Sequence, residues 1–335
     1  MKAIKFFAIS AMAAAMITSC SSEDELSQSN YPSDNIIRVT AGVNNAKTRA
    51  EGAGTEMKNN FSLTIVNKNA PKYTYTDKVF SKSSGDWACS ETLLWQKSDA
   101  LVDIVAFAPA QTGKFNGVYA NGSIQPIAYS VASDQSTSSD NNDLLYYYAP
   151  GFNPGKSLDK GKLNIQFNHA FCMIDINVTL GTEFNKPEVL KESPIVKVTL
   201  DGTKIAANVD VKNAATGSTT TTAASVVTAS ETATPTTITT TKGSFDKAAN
   251  AEANAKSCFS CIAIPQTVGA NTFKVSLMTA GKRYEWTSAE PVELKSGYRY
   301  TLKLSMGNDV VLLKGGSISA TPWTEITSDK PLETD

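Results

Sequence analysis

The chain has 335 residues, with 31 Lys and Arg against 32 Asp and Glu, and one histidine. Balanced charge leaves no basic footprint for nucleic acid, and a single His leaves little room for His-based hydrolysis. The length fits two domains, and no apolar run reaches the roughly 20 residues that a membrane-spanning helix needs.

The N-terminus carries Lys2 and Lys5, then an apolar run from Phe6 to Ile17. A charged start and a short apolar core predict a secretory signal over residues 1–19. The run ends in Ile17-Thr18-Ser19-Cys20, which resembles the lipobox of bacterial lipoproteins. The resemblance implies cleavage before Cys20 and lipidation (palmitate among the chains) of that residue. Several acyl chains anchor far better than one, because each buried methylene adds about 0.8 kcal/mol. Glu23, Asp24 and Glu25 follow, resembling the surface-export signal of Bacteroidota lipoproteins. The expected location is therefore the outer membrane, facing the cell surface, with residues 20–35 as a lipidated tether.

Next, Ile36 to Val43 reads as a strand rich in β-branched residues. Residues 44–54 are small, polar and Gly-bearing, hence an exposed loop. Phe61 to Val66 and Tyr73 to Phe80 alternate as strands do. A short strand passes through Thr92, Leu93 and Leu94, between Trp87 and Trp95. Leu101 to Ala108 is almost continuously apolar, which fits a strand covered on both faces. Residues 132–143 read as a long polar loop, Leu144 to Tyr148 as an aromatic strand, and Pro150 to Gly155 as turn material.

A domain boundary is expected near Leu158, dividing 36–158 from 159–335. Leu163 to Phe167, Phe171 to Leu180 and Ile195 to Leu200 are expected strands of the second half, the last ending in the turn Asp201-Gly202. The Thr- and Ser-rich stretch 212–243 reads as short exposed strands or hairpins projecting from the domain. Phe259 to Ile264, Thr272 to Met278, Tyr284 to Trp286, Tyr298 to Leu304 and Val310 to Leu313 complete the series. No amphipathic pattern sustains a helix longer than about three turns. Many short strands separated by turn residues predict β-sandwiches.

Several motifs, in this order, resemble the fimbrillin family, the pilins of Bacteroidales type V pili and their relatives. They are the lipobox; the Arg-bearing loop after the first strand; Trp95-x-x-x-Asp99 leading into Val102 to Pro109; Asp143-Leu144-Leu145-Tyr146; and Phe167-x-His169-Ala170. Ile264-Pro265-Gln266 and Gly297-Tyr298-x-Tyr300 follow, closing near Trp323. The resemblance implies an all-β chain of two transthyretin-like β-sandwich domains in tandem. It implies polymerisation by strand exchange, for adhesion and biofilm growth.

In that scheme the first strand, with Ile37 and Val39, plugs its own domain. An Arg-specific surface protease cuts between Arg49 and Ala50, on a loop where exposure favours cutting. Arg38 is a weaker target because it lies inside the expected strand. The opened groove then accepts a strand from another subunit. The expected donor is the C-terminal segment, with Val310 and Leu312. Gly315, Gly316 and Pro322 interrupt that donor, which leaves a tip or accessory subunit open beside a shaft subunit.

The expected partners are other pilin subunits in a head-to-tail polymer, the protease, the membrane through the lipid before processing, and a host or bacterial surface ligand. No nucleic acid, cofactor, metal or catalytic residue is expected, and the chain reads as a non-enzyme. His169 lacks a nucleophile elbow around it and reads as structural. Cys258-x-x-Cys261 with His169 and Cys172 sketches a zinc site only if a turn lies there, since residues three apart on a strand face opposite ways. Four cysteines, Cys89, Cys172, Cys258 and Cys261, remain after lipidation, as disulfides or buried thiols. The alternative function is a surface lipoprotein that stays anchored and binds glycan or host protein, with Trp87, Trp95, Trp286 and Trp323 as candidate aromatics.

Overall fold

The computed structural model describes residues 30–44, 55–57, 59–110, 118–137, 142–214, 225–307 and 314–322. Among them the fold is all-β, and the one α-helical turn is Pro154–Ser157. The strands begin with β1 (Arg38–Val43), β2 (Thr55–Glu56), β3 (Phe61–Val66), β4 (Tyr75–Ser83), β5 (Asp86–Cys89) and β6 (Val102–Ala108). They continue with β7 (Tyr119–Ala120), β8 (Ser123–Ile124), β9 (Ile127–Ser130), β10 (Leu145–Phe152), β11 (Lys162–His169) and β12 (Cys172–Leu180). Next come β13 (Lys197–Asp201), β14 (Ala206–Val209), β15 (Val227–Ala229), β16 (Ile238–Thr239), β17 (Thr241–Asp246) and β18 (Lys256–Ala263). The last are β19 (Gln266–Val268), β20 (Lys274–Met278), β21 (Arg283–Thr287), β22 (Val292–Leu294), β23 (Tyr298–Met306) and β24 (Lys314–Pro322).

The first sheet runs β11-β10-β6-β3-β4-β5-β1-β2, and β1 also pairs with β11, so the sheet closes on itself. Inside it lies a core of Phe61, Leu63, Ile65, Ile104, Leu163, Ile165 and Phe167. The apolar run of β6 now has a physical reason. Val102, Ile104, Ala106 and Ala108 fill this first core, while Val105 and Phe107 belong to a second one. A strand covered on both faces reads as nearly continuous apolar sequence, and its one polar residue, the half-buried Asp103, accepts the Gly151 N–H at 2.9 Å and pairs with Lys68 at 2.8 Å. All six residues of β3 are likewise buried, although its sequence alternates. Ser62 and Thr64 are short enough to be covered, and Thr64 Oγ1 accepts the Asp77 N–H at 3.0 Å.

The second half builds two sheets, β17-β18-β12-β23-β24 and β16-β13-β20-β21. Strand β12 alternates buried and half-buried residues along its whole length. Its Ile174, Ile176 and Val178 meet Leu302 and Leu304 of β23 and Val198, Leu200, Val275 and Leu277 of the other sheet in the second core. That arrangement is a β-sandwich.

Four sequence expectations are corrected. The strand Leu163 to Phe167, read as the start of the second half, belongs to the first sheet as β11 and to its core. The "polar loop" 132–143 is structured in its first part: Asp134 bridges Thr239, and Gln135 is buried. The Thr/Ser-rich stretch does not project where it is described. Val227, Ile238 and Thr240 are buried, because small polar residues between them let the backbone lie close to the sandwich. Gly315 and Gly316 do not break the last strand. Lys303 pairs with Ser317 and Ser305 with Lys314, so the two glycines oppose Leu304 in a bulge, a place where glycine suits the bent backbone.

Phe167 is fully buried with its ring 5.5 Å from that of Phe61. Phe167→Ala is expected to cost about 3–5 kcal/mol, read as a lower urea midpoint.

Candidate strand-exchange site

The first strand is built to alternate. Ile37 and Val39 are buried, and Ala41 and Val43 pack against the same core, while Arg38 and Thr40 face out. Burying an Ile or Val side chain contributes about 1.5–3 kcal/mol, so the inward row is the main hold on the strand. Beneath it the rings of Phe61, Phe80, Trp87 and Phe167 cluster, Phe61 lying 4.9 Å from Trp87 and 5.4 Å from Phe80.

The backbone hold is uneven. β1 runs parallel to β11 through six pairs, from Arg38 with Lys162 to Val43 with Phe167. Along its other edge it makes three, Val39 with Trp87 of β5, and Gly42 with Glu56 and Val43 with Thr55 of β2. Outside the slot, Thr40 Oγ1 donates to Asn164 Oδ1 (3.4 Å), and Asn44 Nδ2 donates to Asn168 Oδ1 (2.9 Å).

The strand's start is fastened separately. Ile37 N–H donates to the Leu93 carbonyl at 2.9 Å, and Trp95 N–H to the Asn35 carbonyl at 2.8 Å. The Arg38 guanidinium grips the Asp34 carboxylate at 3.0 and 2.6 Å. With the Ile36 N–H it holds the Asp34 carboxyl down to about 2. This pair is exposed and fixes geometry more than it stabilises.

Of the residues expected to act in exchange, Ile37 and Val39 are therefore in the slot. Cys20, Arg49, Ala50, Val310, Leu312 and Trp323 lie outside the described residues. The strand that follows Leu312 in the chain, β24, pairs antiparallel with β23 at one edge of its own sheet. The sequence did not reveal that β1 pairs in parallel with β11, because nothing local marks a partner 124 residues away.

The chemistry-bearing residues are placed as follows. His169 Nδ1 lies 2.7 Å from Asp143 Oδ2, at the end of β11 and before β10. Cys172 donates its S–H to the Ala263 carbonyl at 3.2 Å. Cys258 and Cys261 face opposite sides of β18, the first half-buried and the second buried, so the zinc sketch lacks its turn. All four described cysteines are free thiols. Trp95 is buried and stacks on Phe152 at 6.0 Å, while Trp286 is half-buried against Phe273.

The fold and the slot define a class: an all-β chain with two cores, whose first strand closes a sheet from a distance. The family model for fimbrillin-like proteins matches residues 48–323, and the chain belongs to that family. No curated protein matches the sequence. Among solved structures, a candidate cell adhesion protein from Bacteroides ovatus ATCC 8483 aligns with a TM-score of 0.57 at 15% identity, over 86% of this chain and 97% of that one. A fimbrial protein from Bacteroides vulgatus ATCC 8482 aligns with a TM-score of 0.51 at 15% identity, over 86% and 99%. These similarities are of fold.

Two outcomes are expected. Val39→Asp puts a carboxylate among the rings and costs upward of about 3 kcal/mol, measurable by urea unfolding. Burial pushes the Cys261 thiol up to about 12, with Asp175 adding to it, and lifts Cys172 well above the ordinary range. The unfolded chain releases these protons near pH 8.5, while the folded chain keeps them. Their contribution is intact below that pH and falls as pH rises through it. The urea midpoint should drop from pH 7.5 to 10, and a Cys172→Ala, Cys261→Ala protein should show a flatter decline.

Proposed function

We propose that this chain is a pilin-type fimbrial subunit, exported as a lipoprotein on Cys20 and assembled at the cell surface by strand exchange. The observation that carries the reading is the hold on β1: a continuous six-residue ladder with β11 on one side, three scattered pairs with β5 and β2 on the other, and an apolar inward row over an aromatic floor. The segment after it in the sequence carries Arg49. A cut there by an Arg-specific protease frees β1 together with the lipid anchor. The open slot then offers unpaired backbone groups of β11 and an uncovered core, which is what an incoming strand needs.

The donor is the C-terminal segment, with Val310 and Leu312, delivered by release of the neighbouring edge strand β24. A head-to-tail contact of that kind does not close, so it yields a filament serving adhesion and biofilm growth. A tip or accessory subunit uses the same slot without donating a strand. We place residues 1–19 as signal and 20–35 as tether. Two sandwich units follow, meeting at Ala170 and Phe171, where the first sheet ends and the second begins.

A second reading rests on one cleft. About 500 Å³ in volume, it is lined by Trp286, Glu290, Val292, Glu293, Tyr300 and Ile318. A half-buried Trp beside carboxylates suits a sugar ring, and this cleft supports an anchored surface binder of glycan or host protein.

The test uses the soluble chain from Ser21 onward with an Arg-specific protease, followed by N-terminal sequencing and native size together. The expected result is one cut, after Arg49, then oligomer ladders that survive mild denaturant. Arg49→Ala should abolish both, and Val310→Asp should weaken the ladder by removing donor burial. A clean cut without a ladder marks a tip or accessory subunit. A stable, uncut monomer sinks the processing scheme and favours the anchored binder.

A further inference from the structure

The excursion between β6 and β10 leaves the first sheet, joins the second half, and returns. Strand β9 pairs antiparallel with β14, from Val209 with Ile127 to Ala206 with Ser130. The ladder continues with Val131 N–H on the Ile205 carbonyl at 3.0 Å. Val118, Ile124, Ile127, Tyr129 and Val131 are all buried in the second core, and Tyr129 meets Phe171 at 5.4 Å. Beyond them, Gln135 N–H donates to the Thr239 carbonyl at 2.8 Å and Thr239 N–H to the Ser133 carbonyl at 2.7 Å.

The Gln135 side chain is 2% exposed. Its Oε1 accepts the Ile262 N–H at 2.8 Å, and its Nε2 donates to the Ile262 carbonyl at 2.9 Å and the Ala132 carbonyl at 3.0 Å. A side-chain amide here does the work of a neighbouring strand's peptide group for β18. Removing it would leave both Ile262 groups without that partner in a buried place.

We infer that residues 118–137 are a brace, a strand given by the first half to the second, which makes the two halves one cooperative body. Two features support it. The direct link between β11 and β12 is Ala170 and Phe171 alone, which a hinge would use. The second core takes five large or branched side chains from the excursion, which no other described segment replaces. The consequence concerns load. A pull applied between the β1 slot and the C-terminal strand passes through this braced junction and not through a flexible linker. The load role rests on the fibre reading; the brace itself does not.

The test therefore uses the monomer. Specific protease sites are inserted within 111–117 and within 138–141 of the full chain. A parallel protein also carries Ala128→Cys and Asn208→Cys, with Cys89 and Cys258 changed to Ser in both. Residues 128 and 208 face each other across β9 and β14, and both are exposed. Because Val131 and Ile205 are hydrogen-bonded partners, the alternation makes 128 and 208 a non-bonded pair, the closer kind, which suits a disulfide.

Hydrogen exchange of β3 and β20 is followed in urea. The uncut chain should lose both protections at one urea concentration. After both cuts, release of the 118–137 peptide should unmask β20 at lower urea than β3, and the oxidised cross-link should restore the single transition. Separate transitions in the uncut chain would overturn the brace. So would a released peptide that leaves β20 protected.

Discussion

The rest of the first unit depends on one pairing: the parallel ladder between β1 and β11. A sheet closed by its first strand has no open edge inside the circle, and an open edge is what recruits other chains. The same ladder is the least local contact in that sheet, since its two strands are separated by more than a hundred residues of chain. Loop-closure entropy must be met before such a contact stabilises anything, so apolar burial under Ile37 and Val39 carries most of the weight. The outer polar pairs, Thr40 with Asn164 and Asn44 with Asn168, align the register and contribute little else.

On the proposed strand-exchange reading, a strand held this way is stable while it is covalently near and replaceable once it is not. Its partner β11 presents a regular ladder that any extended chain with the right alternation can reproduce. Its other neighbours, β5 and β2, make three scattered pairs with it in place of a continuous ladder. The aromatic floor recognises apolar side chains without demanding a particular one. On that reading, stability of the precursor and openness to exchange come from the same geometry.

The two halves are joined by more than the chain between them. Strand β6 sends alternate residues into two cores, and β10 does the same, with Tyr147 and Ala149 towards one and Tyr146 and Tyr148 towards the other. The first sheet is therefore a wall shared by both cores. The excursion carrying β9 and Gln135 extends that sharing into the backbone hydrogen bonds of the second half. Close-packed interiors transmit strain, so a shared wall couples what two tandem beads would leave independent.

The all-β class, most strands and the doubly buried β6 were legible because period-two patterning and turn residues are local properties of a chain. The alternation of Ile37 and Val39 marked them as inward-facing for the same reason. What the sequence could not show was partnership. Nothing near Leu163 says that its strand joins the first sheet. Gln135 reads as an ordinary loop residue, since a buried amide standing in for a strand is defined only by the Ile262 groups it meets. The Thr-rich stretch looks solvated until Val227 and Ile238 find the core. Local pattern determined which residues point inward; the tertiary structure alone decided which core receives them, because burial depends on contacts between segments that lie far apart in the chain.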